Sequence, residues 1–269
     1  EGIKRNGVWA YTKDKLKAGD LLETVFLEED SSENIVAVEM PLDIVYEDED
    51  ILVINKPVGV LSEDSQKGEK GILTYLQNEN RKELHLLHRL DREVGGVMVF
   101  AKTSKAASRL SEQIRNQEWI KEYVAVVEGE VKETKKLTHY LKHIENTKKM
   151  TEAKLGDGQK AELYFDSLVQ NSKFSVVNVK LITGRHHQIR VQFSLFGHPL
   201  VGDMLYGNGK KHDLMLCCHK LTIKHPVTNE ILTFKSTPKN KCITQSFFDA
   251  TPKKPLILHL LSIVFYFLK

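Results

Sequence analysis

The chain has 269 residues, 39 basic against 36 acidic side chains, a net charge of +3 and three cysteines. That length supports one large domain, or one domain with a small appendage, and is ample for a buried core. So even a charge balance selects no partner, and three cysteines without a Cys-x-x-Cys pair argue against both a disulfide framework and a structural zinc site.

Residues 1–40 read as a small unit. Asn6-Gly7 is a turn beside β-type residues, and Leu16-Lys17-Ala18-Gly19-Asp20 is a second turn before a strand-like run to Phe26. Glu28 to Asn34 reads as a linker, closed by Met40-Pro41. The chain opens at Glu1, directly into patterned sequence, so a preceding piece is expected to be missing.

The main body spans 41–250. Ile51 to Ile54 is a short apolar strand, followed by a break at Lys56-Pro57-Val58-Gly59. Gly71 to Gln77 is a short helix with Leu73 and Leu76 on one side. Val97 to Ala101 reads as a buried strand. From Thr103 a helix is predicted, capped by Thr103 or Ser104, with Ala106, Ala107, Leu110 and Ile114 at helical spacing. Tyr123 to Val127 is a strand, and the lysine-rich segment 132–158 is irregular or hairpin-like. Val177, Val179 and Leu181 alternate with Asn178 and Lys180, the pattern of a half-buried strand. A helix then places Ile189, Phe193 and Phe196 on one face and ends at Gly197. Strands over 214–223 and 230–235 are joined through His225 to Asn229. Strands with interspersed helices and hairpins indicate an α+β fold. The apolar tail within 251–269 is shorter than the ~18–20 residues a bilayer span needs.

Charge is unevenly distributed. From Lys180 to His225 seven basic residues face two acids, Asp203 and Asp213, whereas acids cluster at Glu28-Glu29-Asp30 and Glu47 to Asp50. A basic half opposed by acidic rims suits a polyanion in one groove; solvated faces are the plainer reading.

Three clusters carry candidate chemistry. In His88-Arg89-Leu90-Asp91-Arg92 an acid stands between arginines. A carboxylate held by arginines stays ionised and can serve as nucleophile or electrostatic stabiliser, although such an acid is more often a structural ion pair. Thr183-Gly184-Arg185-His186-His187-Gln188-Ile189-Arg190 gathers planar donors at a helix start, a good phosphate or sugar environment. His186 and His187 are neighbours that should not share a face, so no metal is expected there. Gly197 to Gly207 is a glycine-punctuated loop that suggests close backbone approach.

In order, Asn55-Lys56-Pro57, His88-Arg89-Leu90-Asp91, Lys121-Glu122-Tyr123, Thr183-Gly184-Arg185-x-His187-Gln188-Ile189-Arg190 and Gly197-His198-Pro199-Leu200-x-Gly202-Asp203-x-x-Tyr206-Gly207 closely resemble the RluA-type pseudouridine synthases from about Leu42 to Phe234. Residues 1–40 resemble the latter half of an S4-type RNA-binding unit. The resemblance implies a mixed, largely antiparallel sheet with flanking helices and a central cleft. It also implies isomerisation of uridine in structured ribosomal or transfer RNA, without a cofactor or metal. No signal peptide is visible, so a cytoplasmic setting is expected, and the enzyme is expected to be a monomer. Asp91 corresponds to the catalytic aspartate, and Tyr123 to a tyrosine that stacks on the target base and assists proton removal at C5. Arg190 corresponds to the partner of the aspartate, Ile189 to the base-pocket lining, and Arg89 to the residue that fills the space of the extruded base. His88, Arg185, His187 and Gln188 are expected at the RNA. On this reading Arg190→Met should cost activity without unfolding the chain.

Two departures from the family pattern stand out. Val94-Gly95-Gly96 replaces Thr-Ser-Gly beside Asp91, and Leu61-Ser62-Glu63-Asp64 stands where a His-Pro pair is common. A non-catalytic RNA-binding or assembly factor with the same fold is the competing class. A glycoside hydrolase would need a second carboxylate across the bond, and Glu93 does not establish that geometry.

Overall fold

The computed structural model describes residues 2–10, 19–25, 43–78, 83–145, 147, 149–208 and 213–236. The expected linker, Met40-Pro41, Phe26 and the apolar tail lie outside them. The chain divides into two compact units, Glu1–Pro41 and Leu42–Lys269.

In the first unit β1 (Gly2–Arg5), β2 (Val8–Ala10) and β3 (Leu22–Val25) form an antiparallel sheet in the order β2-β1-β3. Asn6-Gly7 makes the first turn, and the Asn6 side chain ties it to the next one, accepting from the Leu21 N–H at 2.9 Å and donating to Asp20 at 2.8 Å.

The second unit runs β4 (Asp43–Glu47), β5 (Ile51–Lys56), α1 (Ile72–Asn78), β6 (His85–Leu86), β7 (Gly95–Ala101), α2 (Ser104–Arg115) and β8 (Ile120–Glu128). It continues with β9 (Lys135–His143), β10 (Met150–Glu152), β11 (Gln159–Gln170), β12 (Phe174–Leu181), α3 (Gln188–Leu195), β13 (Leu216–Lys224) and β14 (Ile231–Lys235). Its 11-stranded sheet has the order β10-β9-β11-β12-β8-β13-β7-β5-β4, with β14 beside β13 and β6 beside β7. Among the described residues its pairings are antiparallel except β7 with β13, which run parallel through Gly95–Cys217 and Gly96–Cys218. The fold is therefore α+β with a mixed, largely antiparallel sheet. The single parallel junction sets the start of β7 beside β13, and β13 beside β8, at the sheet centre.

Two helices cover different parts of the sheet. Thr103 caps α2 by accepting the Ala106 N–H on its hydroxyl at 3.1 Å. Ala106 and Leu110 then pack on Ile51, Val53, Val97, Val99, Leu221 and Ile223. Val191 of α3 packs with Leu141 and Ala161 in a separate cluster. The inward residues of α1 are Ile72 and Leu76, at i and i+4, whereas Leu73 is half-buried. Segment 132–158 forms the β9–β10 hairpin, and β4 and the twelve-residue β11 are strands that the sequence reading did not anticipate. No described helix is long and apolar enough to cross a membrane.

Candidate active site

Asp91 lies in the loop that feeds β7, and the loop is fixed from beneath. The buried Ser62 hydroxyl donates to the Leu90 carbonyl at 2.7 Å and accepts the Leu90 N–H at 3.0 Å. Lys56 is buried, and its ammonium donates to the carbonyls of Pro57 (2.9 Å), Val60 (2.6 Å) and Arg92 (3.4 Å). The segment where this chain departs from the His-Pro pattern thus supplies Ser62, a support sequence reasoning had not singled out.

Burial lowers the Lys56 ammonium to about 8, against the pull of Asp91 and Glu93. The unfolded chain therefore holds this proton up to a higher pH than the folded one. Stability contributed through Lys56 should rise between about pH 8 and the ordinary lysine value, by of order 1–3 kcal/mol. Urea unfolding of wild type and Lys56→Met at pH 8 and pH 10 checks this. The wild type should gain more than the variant, and equal gains would contradict a depressed lysine.

Arg190 of α3 reaches Asp91 with Nη1 at 3.2 Å from Oδ2. Its other edge is committed elsewhere: Nε and Nη2 bind the two oxygens of the fully buried Asp203 at 2.7 and 2.8 Å. Burial disfavours both charges. Their mutual hydrogen bonds and attraction win, raising the Arg190 pKa and lowering that of Asp203. Asp203 Oδ1 also accepts the N–H groups of Leu205 and Tyr206, and the Tyr206 ring lies 5.4 Å from the guanidinium. The glycine-punctuated loop is thus a cradle for Arg190. Its close approach is to its own backbone, since a Cβ on Gly207 would stand 2.6 Å from the Asp203 carbonyl oxygen. Arg190→Met would leave the Asp203 charge buried and half-partnered, so a stability cost is expected beside the loss of activity.

His187 closes the other flank of Asp91. Its Nε2 lies 3.5 Å from the same Oδ2, and its Nδ1 is 2.9 Å from the Tyr206 hydroxyl. Adjacent positions predict that His186 and His187 do not share a face. They do: the rings stack with centroids 3.8 Å apart. The pair precedes the first turn of α3, and His187 has a left-handed backbone (φ 50°), so helical spacing does not govern it. Burial lowers both imidazoles, His187 to about 4, so both are neutral at pH 7.

Tyr123 of β8 is buried. Burial first, then the neighbouring Cys218 and Asp91, pushes its hydroxyl well above its usual value, so it presents a neutral phenol. Cys217 and Cys218 are free, buried thiols, and burial pushes Cys218 up to about 12. Lys121 lies 5.3 Å over the Trp119 ring, and burial lowers its pKa.

The remaining candidates separate into two groups. Arg89 is exposed and paired with Glu63, while half-buried Arg92 pairs with Glu69. Arg185 donates to the Lys160 carbonyl at 3.0 Å. His88 and Gln188, expected at the RNA, are turned into the protein. The buried His88 ring accepts the Val99 N–H at 3.1 Å and packs edge-on to Trp119. Gln188 spends its carbonyl on Thr183 and Arg185 and its amide on Glu162 and Gln192. Ile189 is also buried. The basic Lys180–His225 stretch is less free than its composition suggests, because Arg190 is internal and Lys220 binds Glu122 at 2.7 Å.

A carboxylate oriented by a locked arginine, beside a neutral phenol and two neutral imidazoles, can attack or stabilise an electron-poor carbon without a cofactor. The sequence profile of the RNA pseudouridylate synthases matches residues 50–195, which carry Asp91, Tyr123 and Arg190. The chain belongs to that family. A Bacillus subtilis RNA pseudouridine synthase, YjbO, is 38% identical over 242 residues, covering 86% of this chain and 85% of that protein. The ribosomal large subunit pseudouridine synthase D of Yersinia pestis is 35% identical over 202 residues, 72% of this chain and 61% of that protein. Among solved structures, human RNA pseudouridylate synthase domain containing 1 shares the fold, with a TM-score of 0.65 at 22% identity over 82% of this chain and 94% of that one. This pseudouridine synthase thus brings Arg190 and Tyr123 beside the half-buried Asp91 carboxylate.

Proposed function

We propose that this pseudouridine synthase acts on uridines in structured ribosomal or transfer RNA, with Asp91 as the catalytic carboxylate. The observation that carries the reading is the chain Asp203–Arg190–Asp91, in which a buried carboxylate locks the guanidinium that orients a half-exposed one. The N1–C1′ bond breaks, the C5–C1′ bond forms, and the C5 proton leaves as N1 gains one. Asp91 serves the glycosidic bond cleavage. Tyr123 offers a face for the base, and the Asp91 charge is near enough to help push its hydroxyl above the usual value. Ile189 lines the pocket, and Arg190 positions Asp91.

Extruding the target nucleotide costs a few kcal/mol. Arg89, exposed beside Asp91, is suited to fill the vacated stack with a planar guanidinium. Arg185 and the lysines of the β9–β11 hairpins offer phosphate contacts. In the same reading residues 1–40 are an S4-like RNA-binding unit and the enzyme is a cytoplasmic monomer.

Asp91→Asn tests the assignment. The substitution keeps shape while removing the charge, so tritium release from RNA labelled at uridine C5 should vanish while RNA binding persists. Undiminished release would remove Asp91 from the chemistry. No release by the wild type on any cellular RNA would favour a non-catalytic binding factor.

A further inference from the structure

Two clusters among the described residues bring three metal-type ligand atoms within 4.8 Å of one another: Asp48, Asp50 and His225, and Asp91, His186 and His187. The first is consumed by the fold. Asp48 Oδ1 accepts the N–H groups of Asp50 and Ile51, its Oδ2 accepts from Tyr46 and faces His225, and His225 Nδ1 accepts two further backbone N–H groups. The second is open. Asp91 is half-buried and His186 is exposed, and Asp91 Oδ1 carries no hydrogen bond among the described residues.

We propose that Asp91, His186 and His187 form a binding site for a zinc-class divalent ion, whose occupancy switches the catalytic carboxylate off. One carboxylate and two imidazoles are a borderline-soft donor set suited to zinc. The cationic Arg190 does not veto it, because Asp203 binds that guanidinium through both oxygens and Arg190 meets Asp91 only at Oδ2, which leaves Oδ1 for an ion.

The outer contacts are also those of a metal site. The Tyr206 hydroxyl accepts the Met150 N–H at 2.8 Å and holds His187 Nδ1, which keeps Nε2 aimed at Asp91. With metal bound, His187 would move its ring proton to Nδ1 and donate it to Tyr206. His186 lies on the surface, stacked on His187, with a ring nitrogen within 4.8 Å of the ligand atoms of Asp91 and His187. Binding follows from these donors alone; the loss of activity rests on the reading of Asp91 as catalytic.

The test is a chelator-competition titration of the full chain with Zn2+, with Co2+ as a spectroscopic probe. The wild type should bind one ion. His186→Ala and Asp91→Asn should each weaken it about tenfold or more, whereas His143→Ala should leave it unchanged. The Co2+ spectrum should lack the near-ultraviolet band of sulfur ligation. Equal Zn2+ affinity in wild type and His186→Ala, or a sulfur band, would overturn the site. Zn2+ should also halt tritium release by the wild type, reversibly on chelation, and His186→Ala should resist it. Metal-free wild type without activity but with His186-dependent Zn2+ binding would retain the site and defeat the catalytic reading.

Discussion

Gly96→Ala should destabilise the chain by about 2–6 kcal/mol and take activity with it. Gly96 sits at φ 122°, a conformation that costs an L side chain about 1–3 kcal/mol. A Cβ there would lie 2.2 Å from the Cys218 carbonyl oxygen and 2.7 Å from its carbon. Those atoms are backbone of the neighbouring parallel strand and cannot swing aside, so overpacking adds another ~1–3 kcal/mol. The strain falls on the β7–β13 junction, which sets the start of β7 beneath Asp91 and abuts Cys218 under Tyr123. Urea unfolding should show a lower midpoint with an unchanged slope. Gly95→Ala is the contrasting variant. Its Cβ would meet a Val58 methyl at 3.1 Å and the Lys56 carbonyl at 3.2 Å, so a few tenths of an ångström of adjustment suffices. A wild-type midpoint for Gly96→Ala would mean that the parallel junction is looser than its geometry indicates. Gly96 therefore stands where the family pattern also has glycine, and its packing requires one; the departure lies at Val94 and Gly95.

Local pattern carried much of the fold. The apolar run of β7, the Thr103 cap of α2, the alternation in β12 and the glycine stop of α3 are each written within a few residues, and the structure has them. β11 was legible but unread: Ala161, Leu163 and Phe165 are fully buried at period two among polar neighbours. What the pattern could not hold was pairing across distance. Amphipathic reasoning sent one face of α3 inward and left Arg190 the other, yet every residue from Gln188 to Phe193 is buried. Asp203 shows the same limit at the site. It stands 13 residues beyond Arg190 in a loop read as a turn, and only the fold reveals it as the arginine's main partner. The inward turn of His88 and Gln188 was hidden for a like reason: a polar side chain near a motif looks identical in sequence whether it meets RNA or backbone. The stacked histidines escaped because a rule of helix spacing was applied one residue before the helix begins.

Arg190 has two roles that a pair of variants can separate. Arg190→Met alone should abolish tritium release and also cost about 3–5 kcal/mol, because it strands the Asp203 carboxylate in the interior with two backbone donors. Adding Asp203→Asn removes that charge, while the amide oxygen can still accept the N–H groups of Leu205 and Tyr206. The double variant should therefore regain half or more of the lost stability and remain inactive, since nothing then orients Asp91. Residues in direct contact are expected to couple in this way. Urea unfolding and tritium release on the two proteins give both readings. Were Arg190→Met as stable as the wild type, the buried pair would contribute nothing to the fold. Were the double variant less stable than the single, the Asp203 charge would not be the source of the cost. Recovery of stability without recovery of activity is the result that assigns Asp203 to holding the arginine and the arginine to holding the carboxylate.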